Sequence, residues 1–333
     1  MKIMNSLSVP FVSIIIPAYN ASGTISKTIE ACLSQSYSKR EIIVVDDGSS
    51  DKTQEIVSGY PVKLIRQDNA GPAKARNTGW KAAAGEIVVF TDSDCVPRAD
   101  WLEKLIFLFD SPEIGAAGGT YGIENPNSLV ALAIHSEIQY RHSSLPEYVR
   151  YLGSFSLGIK KNILEELGGF DESFRIACGE DADLTYRIVN LGYKMRFSRD
   201  CVVGHYFPTR LFGFVRQQFW RGYWIMKLLA KHPAKLGKDD YSKTRDSIQP
   251  PLFALILALT PLIFIESVLI VWVILNAVAL YLQVTVASYA VKSTGNRRLY
   301  ILIWMLYLRG FAWALGSLAG ILKFKPFTNR LPS

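Results

Sequence analysis

Along the first half of the chain, apolar residues come in short blocks that follow one of two periods. "FVSIIIPAYN" (11–20) is a β-branched run that reads as a buried strand ended by Pro17. "SGTISKTIEACLSQ" (22–35) places Ile25, Ile29, Cys32 and Leu33 at helical spacing behind a Ser or Thr cap. "EIIVVDDGSSDKT" (41–53) is a second strand that enters a turn rich in Asp, Gly and Ser. "DKTQEIVSGY" then reads as a helix, "VKLIRQ" (62–67) as a third strand, and "GPAKARNTGWKAAAG" (71–85) as a helix opened by Gly and Pro. "EIVVFTD" (86–92) is the fourth strand. Strands alternating with helices at this spacing predict an α/β fold, a mostly parallel sheet with helices on both faces. Ligands bind such sheets outside the carboxyl ends of the strands. Tyr19 and Asn20, Asp46 and Asp47, and Asp92 and Asp94 all fall there.

Composition changes this picture at one boundary. Hydrophobic residues make up 49% of the 333 and net charge is +8, and neither is evenly spread. From Leu252 onward the chain is almost continuously apolar. Leu252 to Ala290 carries only Glu266 as a charge, and Leu299 to Leu322 is broken only by Arg309. One membrane span needs about 20 such residues. The first block reads as two short spans turning near Glu266, or as an interfacial helix followed by one span broken off at Pro261, so two or three spans are expected. A buried helical domain shares the composition. Ahead of it, Arg210, Arg216, Arg221, Lys227, Lys231, Lys235, Lys238, Lys243 and Arg245 face only Asp239 and Asp240, a basic collar suited to anionic lipid. Domain limits follow: 1–230, a basic linker at 231–250, and a membrane part at 251–333. Lys292, Arg297 and Arg298 balance Lys323, Lys325 and Arg330, so loop charge does not orient the spans. Cys32, Cys95, Cys178 and Cys201 form no CxxC pair, which suits reduced thiols in a cytosolic compartment. "MKIMNSLSVP" is too short and polar for a signal peptide. No dinucleotide fingerprint or P-loop is present, and nothing points to nucleic acid.

The candidate chemistry lies in carboxylates. Two unit charges roughly 6 Å apart at an effective dielectric of about 20 repel by roughly 3 kcal/mol, so Asp92-Ser93-Asp94 either faces water or shares a cation. Hard divalent ions take one or two carboxylates together with substrate phosphates. Asp46-Asp47-Gly48-Ser49 offers an acceptor to a nucleobase imide, or else an Asx turn and a helix cap. Gly179-Glu180-Asp181 opens a helix whose inner face is marked by Leu184, Ile188 and Leu191. Its acids either complement the helix dipole or act as a general base. His205, after "CVVG", is a structural imidazole or a metal ligand. "VRQQFWRGYW" (215–224) sets Gln218 and Arg221 among aromatics, as a surface amphipathic helix would.

In order, Pro17-Ala18-Tyr19-Asn20, Val45-Asp46-Asp47-Gly48-Ser49, Gly71-Pro72-Ala73-Lys74-Ala75-Arg76-Asn77, Asp92-Ser93-Asp94, Gly168-Gly169-Phe170-Asp171, Gly179-Glu180-Asp181, His205 and Gln218 to Arg221 resemble an inverting family 2 glycosyltransferase with a GT-A (nucleotide-diphospho-sugar transferase) fold. The resemblance covers residues 11 to about 225. It implies that Pro17, Ala18, Tyr19 and Asn20 border a nucleotide-sugar, that Asp47 binds the base, and that Arg76 lies near the nucleotide. Asp92 would approach ribose and metal. Asp94 and His205 would ligate Mg2+ or Mn2+ bridging the diphosphate. Asp181 would be the base, with Glu180 beside it, and Gln218 and Arg221 would contact diphosphate or acceptor. Gly222 stands where the family's Gln-x-x-Arg segment continues with tryptophan, which argues against a processive polymer synthase.

The implied activity is transfer from a UDP- or GDP-sugar to a hydroxyl or phosphate of a lipid-linked or membrane-presented acceptor. Because nucleotide sugars are cytosolic, the catalytic domain is expected to face the cytoplasm. Residues 120–157 are expected to shape the acceptor site. Two other classes compete. A non-catalytic membrane subunit keeping the fold would have little need for Asp92, Asp94, Asp181 and His205 together. A nucleotidyltransferase would need a glycine-rich, arginine-bearing loop after the first strand, and "PAYNASGT" is not one. Sugar, acceptor and oligomeric state are not written in the sequence.

Overall fold

A computed structural model describes residues 9–233, 240–241 and 244–326. The N-terminal stretch 1–8, Lys235, Lys238, Asp239 and Lys243 of the basic collar, and Arg330 lie outside the described residues. The chain divides into two compact units, residues 1–122 with 147–205, and residues 123–146 with 206–333. Compactness thus splits the chain differently from composition, whose shift falls at Leu252. Most of the expected acceptor-shaping segment belongs to the second unit.

The first unit holds the sheet. β1 (Val12–Ala18), β2 (Arg40–Asp46), β3 (Lys63–Arg66) and β4 (Ile87–Phe90) alternate with α1 (Ile25–Leu33), α2 (Thr53–Ser58) and α3 (Pro72–Lys81). Then come β5 (Cys95–Pro97), α4 (Trp101–Phe107) and β6 (Ile114–Tyr121). After an excursion into the second unit follow β7 (Leu157–Lys160), α6 (Lys161–Leu167), α7 (Glu180–Asn190) and β8 (Lys194–His205), with α5 (Leu129–His142) being that excursion. The eight strands run in the order β3-β2-β1-β4-β7-β6-β8-β5. The β3-β2-β1-β4 half is parallel, as the alternation predicts. β7 lies antiparallel to both β4 and β6, and β5 antiparallel to β8, so the other half is mixed.

Strand alternation builds two cores. Ile14 and Ile16 join Ile25, Ile29 and Cys32 of α1 in one buried cluster. Ile15 points the other way, against Gly79 of α3, which puts helices on both faces. β1 does not end at Pro17 but continues to Ala18. Thr91 N donates to Ile15 O at 3.1 Å, so Ile15 and Pro17 present their backbone polar groups to the β4 side. Pairing with β4 stops at Ile15, and the missing proline N–H therefore breaks no ladder. Leu184 and Ile188 are fully buried in α7 as the helical period requires, whereas Leu191 is 41% exposed because it caps the helix end.

The second unit is helical. α8 (Leu211–Lys231) packs along α11 (Ile301–Phe324), and α9 (Thr244–Leu259) and α10 (Glu266–Thr294) complete it. Small residues let α8 and α11 meet backbone to backbone. A Cβ on Gly316 would lie 2.0 Å from Phe219 O, and one on Gly222 2.6 Å from Trp313 O. The break in the apolar block comes at Thr260–Leu262, where Pro261 opens a single 3-10 turn, and Glu266 then begins a new helix. Two helical stretches, Glu266–Thr294 and Arg297–Phe324, are long and apolar enough to cross a membrane. α10 leaves Ile270, Val273 and Ile274 more than half exposed.

Candidate functional site

Four loops leave the carboxyl ends of β1, β2 and β4 and the start of α7. After β1, Pro17 and Ala18 are buried in the sheet while Tyr19 is 53% exposed. Asn20 takes a left-handed φ of 49°, a conformation asparagine tolerates better than most residues. Its N–H donates to Ser49 Oγ at 2.9 Å and its Oδ1 accepts from Ser50 N at 2.9 Å, tying this loop to the one after β2.

In that second loop both aspartates hold neighbouring chain in place. Asp46 Oδ1 accepts from Ser49 N at 3.1 Å, an Asx turn. Asp47, 3% exposed, accepts from Gln67 Nε2 at 2.6 Å, Ala70 N at 3.0 Å and Gly71 N at 2.9 Å. Gly71 can donate there because its φ of 94° turns the chain. A Cβ at this position would also lie 2.8 Å from Arg175 O.

The Asp92-Ser93-Asp94 turn follows β4. Its two carboxylates are separated by giving each its own partner. Arg76 of α3, 2% exposed, donates from Nη2 to Asp92 Oδ1 at 2.8 Å and from Nη1 to Glu180 Oε1 at 2.8 Å. Arg76 therefore lies beneath the site as a strut between α3, the Asp-x-Asp turn and α7. Its Nε and the second oxygen of Glu180 are buried without a hydrogen bond. Asp94 turns elsewhere. Antiparallel pairing of β5 with β8 puts Cys95 opposite His205, and the adjoining Asp94 Oδ2 lies 3.4 Å from His205 Nε2. Among the described residues, Asp94, Cys95 and His205 bring ligand-type atoms within 4.8 Å of one another. Burial and the neighbouring Asp94 and Asp92 push the Cys95 thiol well up, so it stays protonated. That leaves one carboxylate and one imidazole facing each other, a donor set that fits a hard divalent cation with open positions for phosphate oxygens. Asp92, expected near the same ion, has one oxygen on Arg76 and stands outside this cluster.

Glu180 and Asp181 open α7 behind Gly179, whose φ is 96°. Burial pushes both carboxyls above the usual range, and their mutual repulsion raises Glu180 further. Tyr151 donates its hydroxyl to Asp181 Oδ2 at 3.0 Å, and both this bond and the Arg76 charge oppose the rise. A half-buried carboxylate with raised basicity can accept a proton from an attacking hydroxyl. Tyr151 carries no sequence signal. It stands 30 residues from its partner in a segment without recognisable motif, and only the fold joins them.

Gln218 and Arg221 lie on α8 in the second unit. Gln218 is buried and accepts from Trp313 Nε1 at 3.0 Å. Arg221 stacks 6.0 Å from the Trp313 ring and 5.8 Å from the Tyr241 ring.

Comparison with known proteins bears on this geometry. A family model described as Glycosyl transferase family 2 matches residues 13–168. Glycosyltransferase AglE of Haloferax volcanii is 32% identical over 224 residues, 64% of this chain and 72% of that protein. The Escherichia coli protein named UDP-Glc:alpha-D-GlcNAc-diphosphoundecaprenol beta-1,3-glucosyltransferase WfgD is 43% identical over 123 residues, 36% of this chain and 49% of that one. The chain spans about half the length of other curated relatives it matches. In three dimensions it resembles the mannosyltransferase PcManGT from Pyrobaculum calidifontis, solved with GDP-Man and Mn2+. The TM-score is 0.54 at 22% identity, over 95% of this chain and 87% of that one.

Proposed function

The chain belongs to glycosyl transferase family 2, and from that premise we propose that it is a membrane-bound, metal-dependent inverting enzyme. It moves a sugar from a UDP- or GDP-sugar to a hydroxyl or phosphate of a lipid-linked or membrane-presented acceptor. The observation that carries this reading is the pair of carboxylate groups held apart in one site, Asp94 against His205 and Asp181 against Tyr151. The first suits a cation and the second suits a proton.

Asp94 and His205 would hold Mg2+ or Mn2+, which when bound would supply positive charge to the departing diphosphate. Tyr19 offers its exposed ring to the base, and Asp47, fixed in its loop by three donors, presents its remaining acceptor capacity to the base imide. Asp181 takes the proton of the acceptor hydroxyl as that oxygen bonds the anomeric carbon and the bond to the diphosphate breaks. One displacement from the face opposite the leaving group inverts the anomeric centre. Arg76 keeps Glu180 and Asp92 in register and thereby sets the position of α7 against the Asp-x-Asp turn. The membrane location is supported by the two apolar helices and by the exposed aliphatic face of α10. The cytoplasmic orientation follows from where nucleotide sugars are found.

Calorimetric titration of UDP and of GDP into detergent-purified protein, each with and without manganese, tests the donor side. Binding of one nucleotide that requires manganese, and that disappears in Asp94→Ala, is expected. Equal binding with and without metal would remove the metal from the proposal.

A further inference from the structure

The second unit buries a charge cluster that the proposed reaction does not use. Arg141 of α5, Arg245 of α9 and Arg309 of α11 meet Glu137 and Asp246. Arg141 is well paired. Its Nε donates to Glu137 Oε1 at 2.6 Å, and Nη1 and Nη2 donate to Asp246 Oδ2 and Oδ1 at 2.6 and 3.0 Å. Arg309 donates Nη1 to Glu137 Oε1 at 2.9 Å. Its Nη2 is held 3.7 Å from Asp246 Oδ1, and neither that atom nor Nε makes a hydrogen bond. Arg245 Nη2 lies 3.5 Å from Asp246 Oδ1 and 4.0 Å from Glu137 Oε1, again with Nη2 and Nε unbonded. One turn along α9, Gln249 is fully buried with both side-chain polar atoms unbonded.

Charge arithmetic on these five groups does not close. Burial works to raise Glu137, but Arg141 and Arg309 outweigh it and hold the carboxyl at about 2; Asp246 is held low by the same arginines. Both acids are therefore ionised at neutral pH, and among the described residues three guanidiniums against two carboxylates leave one positive charge over. Arg221 adjoins the cluster through shared rings. Trp313 carries Arg309 at 4.4 Å and Arg221 at 6.0 Å, and Tyr241 carries Arg141 at 5.2 Å and Arg221 at 5.8 Å. A purely structural ion knot needs balance, because a buried uncompensated charge is strongly disfavoured. Unbonded guanidinium N–H groups beside surplus positive charge are what a phosphate group recognises, through paired N–H donors.

We infer that this cluster binds a phosphate or diphosphate group carried on a lipid, which enters past Arg221 and Arg245 and reaches Arg309 behind them. Arg245 and Arg221 are the partly exposed members, and the Arg309 side chain is 2% exposed. A lipid source is favoured over a free anion because Arg309 sits within apolar α11, and exposed Leu308 and Leu315 on that helix and Leu255 on α9 present hydrocarbon at the surface of this unit. The inference rests on the reading that the acceptor is lipid-linked, and it assigns that acceptor's anionic group to named residues.

The test uses the full chain in detergent with three probes, farnesyl diphosphate, inorganic pyrophosphate and farnesol, read by thermal unfolding and by titration. Farnesyl diphosphate is expected to raise the melting temperature and to bind about tenfold or more tightly than pyrophosphate, with farnesol giving no shift. Arg245→Gln breaks no hydrogen bond, so it is expected to melt like the parent without ligand and to bind farnesyl diphosphate about tenfold or more weakly. Arg309→Gln is expected to lose the ligand-induced shift as well. Parent-like affinity in Arg245→Gln, or an unliganded Arg245→Gln that melts well below the parent, would overturn the site and leave a structural knot. Pyrophosphate binding as tightly as farnesyl diphosphate would overturn the lipid source. Manganese-dependent nucleotide binding, measured on the same preparation, reports separately on the proposed activity.

Discussion

Two buried polar networks in this protein carry opposite imbalances. In the first unit one guanidinium, Arg76, serves two carboxylates, Asp92 and Glu180, with Asp181 adjoining. In the second unit three guanidiniums share two carboxylates. Both networks use arginine, whose planar fork can reach two acceptors at once. They differ in which sign is left over. Burial, with surplus negative charge beside it, raises the basicity of carboxyls, as Glu180 and Asp181 show. Surplus positive charge leaves N–H donors unbonded, as Arg245 and Arg309 show. A network that only held helices together would have no reason to carry either surplus. On the proposed function and the inference drawn from the second unit, each imbalance marks a place where something of opposite charge is handled.

The comparison is tested most severely at Asp181. Asp181→Asn keeps the shape and removes the base, so transfer is expected to fall by about 10²–10⁴-fold while nucleotide binding persists. Single-turnover rates alongside calorimetry measure this, and a variant transferring at the parent rate would remove Asp181 from the mechanism. Next in size is Arg76→Met. Deleting the cation from a buried pair costs roughly 3–5 kcal/mol, read by urea unfolding. The sign with pH is fixed. Without Arg76 the folded-state pKa of Glu180 moves above the parent's value of about 7, so this part of the defect is absent while Glu180 is protonated in both folded proteins and grows as pH rises above about 7 toward the variant's higher folded pKa. A defect that does not grow with rising pH would mean that Arg76 acts through packing alone. The contrast with Arg245→Gln, where no loss of unliganded stability is expected, sharpens the distinction between the two networks.

The smallest expected effect belongs to Tyr151→Phe. Its hydroxyl stabilises the Asp181 carboxylate, and removing it lets burial push that carboxyl higher. Transfer requires the deprotonated base, so the acid limb of the pH–rate profile is expected to move to higher pH, with a near-parent rate on the alkaline side. An unmoved acid limb would make Tyr151 a packing residue.

Much of the first unit was legible from residue order. The four parallel strands came from alternation of apolar blocks with helical ones, and the GT-A fold and the family came from the resemblance that the ordered motifs carry. The candidate residues Asp94, His205, Glu180 and Asp181 each had a local structural reading as well, and it was the ordered resemblance to the family that singled them out. Their partners were not visible. Asp47 with Gln67 and Ala70, Arg76 with Glu180, and Tyr151 with Asp181 are 20 to 104 residues apart. Nothing local signals such pairs. Arg309 shows the same limit in the second unit: in sequence it is an interruption of an apolar run, and in the fold it meets Glu137, 172 residues away.

What the sequence determined by itself is therefore what depends on neighbours along the chain: element type, most turns and the long apolar stretches. These follow from periodicity and turn chemistry, which act over a few residues. The tertiary structure alone decided which carboxylate stands against a cation, which against a hydroxyl, and which arginine keeps unbonded donors. Those outcomes depend on burial and on the distance between charges brought together from remote positions, and electrostatic energy in a low-dielectric interior is set by that geometry.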